Sequence, residues 1–168
     1  MTGADAVAQE RALVIGVGNR FRGDDGVGAA VLDALGEIEA TAAGLDLLEL
    51  DGEPTRLVDA WHARPSVIVV DAVLADDVEP GGLVVLEGES ALDPDRVGHW
   101  SAGVSGHSAG LGEALRLAAV LDRLPAELVV LGVAANDFGD GPGLSGPVQS
   151  AVGDVVAEIR RRTVDLGS

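Results

Sequence analysis

The stretch VIGVGNRFRGDDGVG, residues 14–28, decides how the rest of the chain is read. An apolar run, ALVIGV at 12–17, leads through glycines into helical spacing at Val27, Val31, Leu35 and Ile38. A continuous apolar run bounded by Arg11 and a Gly18-Asn19 turn predicts a short strand buried on both faces. Gly36 marks the softened end of the following helix. The unit resembles a nucleotide cradle, but the GxGxxG fingerprint needs a third glycine where Phe21 stands. Asp24 and Asp25 would also oppose a pyrophosphate.

Outward from this unit the alternation of strands and helices continues. LDLLELD (45–51) predicts a second strand, and TRLVDAWHA (55–63) a short helix closed by Pro65. SVIVVDAV (66–73) is Val/Ile-rich and predicts a third strand. GLVVLEG (82–88) predicts a fourth. It follows the third by about ten residues, whereas a parallel crossover needs a dozen or more, so an antiparallel edge strand is expected.

Residues 89–106 read as loop, Ala109 to Leu124 as helix, and ELVVLGV (127–133) as a fifth strand. A Gly-rich loop leads to a last helix from about Pro147 to Thr163, with Ser145 or Gly146 at its cap and Arg160, Arg161 and Arg162 at its negative end. The predicted architecture is three-layer α/β/α, with a mostly parallel five-stranded twisted sheet and one antiparallel edge strand. Residues 1–168 read as a single domain, with 1–10 a disordered tail and 11–163 the α/β core.

Composition narrows the function. The chain has 168 residues and a formal net charge of −17, which argues against nucleic acid and anionic membranes as partners. There are no cysteines, hence no disulfide, thiolate metal site or Cys nucleophile. The first residues, MTGADAVAQER, have no basic and apolar signal-peptide regions, and no apolar run approaches ~20 residues. The expectation is a cytoplasmic protein without a membrane partner.

In parallel sheets, ligands sit outside the carboxyl ends of the strands. The sequence puts Asn19, Asp24 and Asp25 after the first strand, Asp51 after the second, Asp71 at the end of the third, and Asn136 and Asp137 after the fifth. His107, in SGHSAGL, opens the helix before the fifth strand. Each has a plain structural reading: Asp24 as helix cap, Asp25 as a first-turn carboxylate, Asp51 and Asp71 as turn residues, and His107 as a surface imidazole. Gathered on one rim, the carboxylates repel unless a cation, a shared proton or a basic group joins them. Oxygen and nitrogen ligands without sulfur suit a divalent transition metal with positions left open. Gly26 and Gly28 then read as clearing space for a bulky ligand beside the acidic pair. His62 and His99 read as surface or loop residues.

GVGNRFRGDDGVG resembles the signature GxGNxxxxD(D/E)xxG of the hydrogenase maturation endopeptidases, and VVDAV around Asp71 and SGHSAGL around His107 follow in order. The resemblance runs from about residue 11 to 163. It implies an enzyme that removes a C-terminal peptide from the large-subunit precursor of a nickel–iron hydrogenase after nickel insertion. The nickel is carried by the precursor, so the enzyme can be purified without metal. Asp25, Asp71 and His107 correspond to the metal-contacting positions and are the catalytic candidates; Asp24 would cap the helix and hold Asp25.

Asp51, with Gly52, Glu53 and Asn19, corresponds to the substrate-recognition region. Glu53 stands where the resemblance leads one to expect glycine, a departure that bears on which precursor fits. Three alternatives stay open at this level: a non-catalytic nickel-binding chaperone, a nucleotide-binding enzyme, and a metal-independent acid protease in which Asp25 and Asp71 share a proton.

Overall fold

The structure is a computed structural model, and it describes residues 11–97 and 110–166. Five strands form one sheet: β1 (Ala12–Val17), β2 (Leu45–Leu50), β3 (Ser66–Val73), β4 (Leu83–Glu87) and β5 (Glu127–Ala134). Their order is β2-β1-β3-β5-β4. All neighbours are parallel except β4, which runs antiparallel to β5. The short β3–β4 connection does force an antiparallel strand, but β4 pairs with β5, which inserts between β3 and β4.

The helices are α1 (Val27–Leu35), α2 (Glu37–Ala42), α3 (Pro54–Trp61), α4 (Pro94–Val97), α5 (Gly110–Val120) and α6 (Gly146–Leu166). Successive strand residues point to opposite faces, so the sheet supplies two cores. Leu13, Ile15, Val17, Val67, Val69 and Val73 pack against Leu57, Val58 and Trp61 of α3 and Leu111, Ala114 and Leu115 of α5. Val14, Ile68, Val70, Leu131 and Val133 pack against Val27, Val31 and Leu35 of α1 and Val148, Val152, Val155 and Ile159 of α6. This is the expected three-layer arrangement.

Three local expectations change. The first helix stops at Leu35 because Gly36 adopts φ 70°, ψ 135°; Ile38 then falls on a separate short helix and is 88% exposed, while Ala40 takes the inward position. The region from 89 is not all loop: a 3₁₀ turn spans Gly88–Leu92, followed by α4. Asp24 does not cap α1. It lies in a 3₁₀ turn, Gly23–Gly26, and the residue at the cap of α1 is Gly26, which offers no side chain. The expected tail at 1–10, along with His99 and His107, lies outside the described residues.

Candidate active site

The chain moves outward from β1 to β2, then returns to the other side of β1 to form β3. The crevice between the carboxyl ends of β1 and β3 is therefore the topological switch point, where α/β sheets bind ligands. Asp71 and Asp25 belong to this crevice. The β1–β3 ladder ends at Gly16 and Val70, so Asp71 is the first residue of β3 beyond it. On its other side Asp71 stands opposite Gly132 of β5, which has no side chain to crowd it. Its carboxylate shares the face of Val67, Val69 and Val73, yet it is only 7% exposed. A carboxylate among valines inside a strand has no structural purpose that a hydrophobic residue would not serve better.

Asp25 reaches the same crevice from the turn after β1. Gly18, at φ 129°, reverses the chain there, and a Cβ on it would collide with the carbonyl oxygen of Asp25. The Asn19 N–H donates to Asp25 Oδ2 at 2.9 Å, and Asn19 Oδ1 accepts the Phe21 N–H at 2.9 Å. Gly16 and Gly28 close the unit. A Cβ on Gly16 would lie 2.6 Å from the Gly28 oxygen, and one on Gly28 would lie 2.7 Å from the Val17 nitrogen and 2.9 Å from the Val70 oxygen. Gly28 thus seats α1 directly on β1 and β3, a role in internal packing rather than the ligand clearance expected of it.

The electrostatics identify Asp25 and Asp71 as a pair. Burial raises the Asp25 pKa above the usual carboxylate value, while the Asn19 N–H and the Arg22 charge pull it back. Asp71 is raised well above that value, first by burial and then by the negative charge of Asp25, with the Ala72 N–H opposing. Asp71 therefore keeps its proton to higher pH than an ordinary aspartate. A cation beside the pair would favour ionisation of both. Among the described residues, no group of three or more His, Asp or Glu side chains is arranged to hold a metal ion; the two carboxylates form a pair, and the third expected ligand, His107, falls outside those residues.

The β2–α3 turn forms the neighbouring wall. Asp51 Oδ1 accepts the Glu53 N–H at 3.1 Å, and Oδ2 meets Arg56 Nη1 at 2.8 Å. Gly52, at φ 90°, is buried beside Val17. The start of α5 rests on it, since a Cβ on Gly110 would strike the Gly52 oxygen. Glu53 is the N-cap of α3 and accepts from the Thr55 hydroxyl at 2.6 Å and the Arg56 N–H at 2.9 Å. The Thr55 hydroxyl and these backbone donors hold its carboxyl below the usual range. Its departure from glycine thus has a local structural use. His62 is exposed just past α3, at the opposite edge of the sheet from the crevice.

Two features were not anticipated. Asp24 is fully buried, and its carboxylate accepts the Ser145 N–H at 2.7 Å, the Ser145 hydroxyl at 2.9 Å and the Asp137 N–H at 3.3 Å. The Asp24 N–H in turn donates to the Asp137 oxygen at 2.7 Å. The Asp137 carboxylate shapes its own loop by accepting the Gly139 N–H at 3.1 Å. The second feature is an open groove of about 580 Å³ just past Asp71, with Leu74, Val78, Val84 and Leu86 on its apolar side and Asp76, Asp77, Asp95 and Arg96 among its polar lining. An adjacent Asp pair and a Ser-Gly-Pro helix start were the only sequence hints of the first, and nothing in the sequence indicated the second.

A doubly wound α/β fold with two mutually repelling carboxylates at its switch point defines a class of protein that acts on a ligand at the top of the sheet. Comparison with known proteins places it within that class. The hydrogenase maturation protease (HycI) family model matches residues 31–162, and the chain belongs to this family. It is 27% identical over 166 residues to the hydrogenase expression/formation protein HupD of Rhodobacter capsulatus, covering 96% of this chain and 77% of that protein.

Among solved structures, the hydrogenase maturating endopeptidase HybD of Escherichia coli shares the fold, with a TM-score of 0.76, 21% identity and 94% of each chain covered. The [NiFe] hydrogenase maturation protease HybD of Thermococcus kodakarensis aligns with a TM-score of 0.72 and 27% identity, over 91% of this chain and 99% of that one. The protein is accordingly a peptidase of hydrogenase maturation. No helix among the described residues is long and apolar enough to cross a membrane.

Proposed function

We propose that this protein removes a C-terminal peptide from the large-subunit precursor of a nickel–iron hydrogenase, recognising the nickel that the precursor carries through Asp25, Asp71 and His107. The observation that carries this reading is that Asp71, buried at the end of β3, and Asp25, held in the turn after β1, share the crevice at the switch point of the sheet. Divalent nickel presented by the substrate would relieve their repulsion, and hard oxygen and imidazole donors suit it. Asn19, Asp51, Gly52 and Glu53 would form the wall against which the precursor rests. A cytoplasmic setting, without nucleic acid or membrane as partner, belongs to the same reading.

Chemically, a peptide bond next to the substrate's nickel would meet a water oriented by the metal or by a neighbouring carboxylate. Hydrolysis adds that water across the scissile C–N bond, giving a carboxylate on the mature chain and a free amine on the released peptide. The nickel arrives and leaves with the precursor. The same two carboxylates favour one further reading: Asp25 and Asp71 sharing a proton as a metal-independent acid pair, because burial, and after it the charge of Asp25, raises the pKa of Asp71.

The test is the mass of a large-subunit precursor before and after exposure to the protein, with and without nickel. Shortening only with nickel supports the proposal, shortening regardless of nickel supports the acid pair, and an intact precursor in both refutes the processing role.

A further inference from the structure

Phe21 is 68% exposed on the loop that carries Asp25. Single exposed apolar residues are common on protein surfaces, and Ile38, Val120 and Val164 are others here. Those three lie on α2, α5 and α6, away from the turn that bears Asp25 in the chain. Phe21 belongs to the crevice edge, and its backbone is held on both sides. Its N–H donates to Asn19 Oδ1 at 2.9 Å, the residue whose own N–H holds Asp25, and its carbonyl accepts the Gly141 N–H at 2.8 Å. The preceding residue, Arg20, is clamped by Asp33 at 2.6 Å and Glu49 at 2.8 Å. After it, Arg22 forms a bridge with Gly141.

A phenyl ring presented to water on a braced backbone has few internal contacts to lose and little further backbone entropy to give up on binding. Rigid, exposed aromatics of this kind supply much of the energy at protein–protein contacts. The loop therefore joins two elements in fixed relation: a carboxylate that meets the reacting region and, two hydrogen bonds away, a ring that meets an apolar surface.

We propose that Phe21 is a docking residue for the precursor, contacting an apolar side chain of the hydrogenase subunit beside its metal-bearing region and contributing to which precursor is accepted. This rests on the processing role proposed above. The contact is made before and during cleavage alike, so its removal acts on KM and spares kcat. Burying the ring in a contact corresponds to about ten- to hundredfold in affinity.

The experiment is steady-state cleavage of nickel-loaded precursor by the full-length protein, its Phe21→Ala variant and its Phe21→Leu variant, with thermal midpoints measured in parallel. The expected result is a KM raised about tenfold in Phe21→Ala, a kcat within about twofold of the parent, an unchanged midpoint, and recovery of most of the KM in Phe21→Leu. A KM within about twofold of the parent in Phe21→Ala, or a loss confined to kcat, overturns the inference while leaving the processing role intact. Absence of any cleavage by the parent protein refutes the processing role itself, and this inference with it.

Discussion

Asp24 and Ser145, 121 residues apart in the chain, are joined by two hydrogen bonds, from the Ser145 N–H at 2.7 Å and its hydroxyl at 2.9 Å, to a carboxylate with no exposed surface. The turn bearing Asp25 is thereby fastened to the start of α6. Asp25 is thus positioned twice: by the Asn19 N–H on its own carboxylate and by the clamp on the preceding residue, Asp24.

Replacing Asp24 with Ala leaves buried donors without an acceptor. A loss of about 2–4 kcal/mol is expected. Ser145→Ala removes only the hydroxyl and should cost about 1 kcal/mol. Urea denaturation of the three proteins checks the ordering; equal midpoints for the parent and Asp24→Ala would show that the clamp carries no stability. Processing by Asp24→Ala should also fall at temperatures where it remains folded, because the Asp25 turn loses its anchor.

Gly28→Ala tests the seat of α1 on the sheet. The added methyl would lie within 2.9 Å of backbone atoms of Val17 and Val70, which cannot swing aside as a flexible side chain would. A destabilisation of about 2–3 kcal/mol is expected from overpacking. Gly153→Ala, on α6, where a Cβ meets nothing within 4 Å, is the control and should be neutral or slightly stabilising. Comparable denaturation midpoints for the two variants would contradict the packing role given to Gly28.

The carboxylate pair predicts an unusual pH dependence of stability. The folded-state pKa of Asp71 is raised, so the folded protein holds a proton that the unfolded chain releases near its ordinary value of about 3.9. The stability linked to that proton is present below the unfolded value and is lost as pH rises through the folded one. Asp25 shifts in the same direction. Asp71→Asn should therefore be more stable than the parent at pH 7, with the advantage narrowing as pH falls toward about 4, while processing is lost. Denaturant midpoints at several pH values measure this. A less stable Asp71→Asn with a gap independent of pH would show that the carboxylate is not strained by its surroundings.

Much of this was legible in the sequence because it rests on local pattern. The uncharged Val/Ile run of β3 and the apolar run of β1 declare buried parallel strands, and once they are strands their carboxyl ends bring Asp25 and Asp71 together. What was not legible depends on partners distant in the chain. Gly28 looks like a ligand-clearing glycine until the helix and the strands are seen in contact. Asp24 looks like a cap because its acceptor role is decided by Ser145 and Asp137 across the molecule. Ile38 fits the helical spacing, but a single left-handed glycine at Gly36 turns it outward. The position of β4 beside β5 reflects sheet order, which a ten-residue connection does not specify.

The most direct measurement is single-turnover cleavage of nickel-loaded precursor by Asp25→Ala, Asp71→Ala and His107→Ala, each shown to be folded by circular dichroism. The account predicts that each variant loses about a hundredfold or more in rate, the scale of removing a group that acts on the reacting region. Cleavage at the parent rate by all three would contradict it.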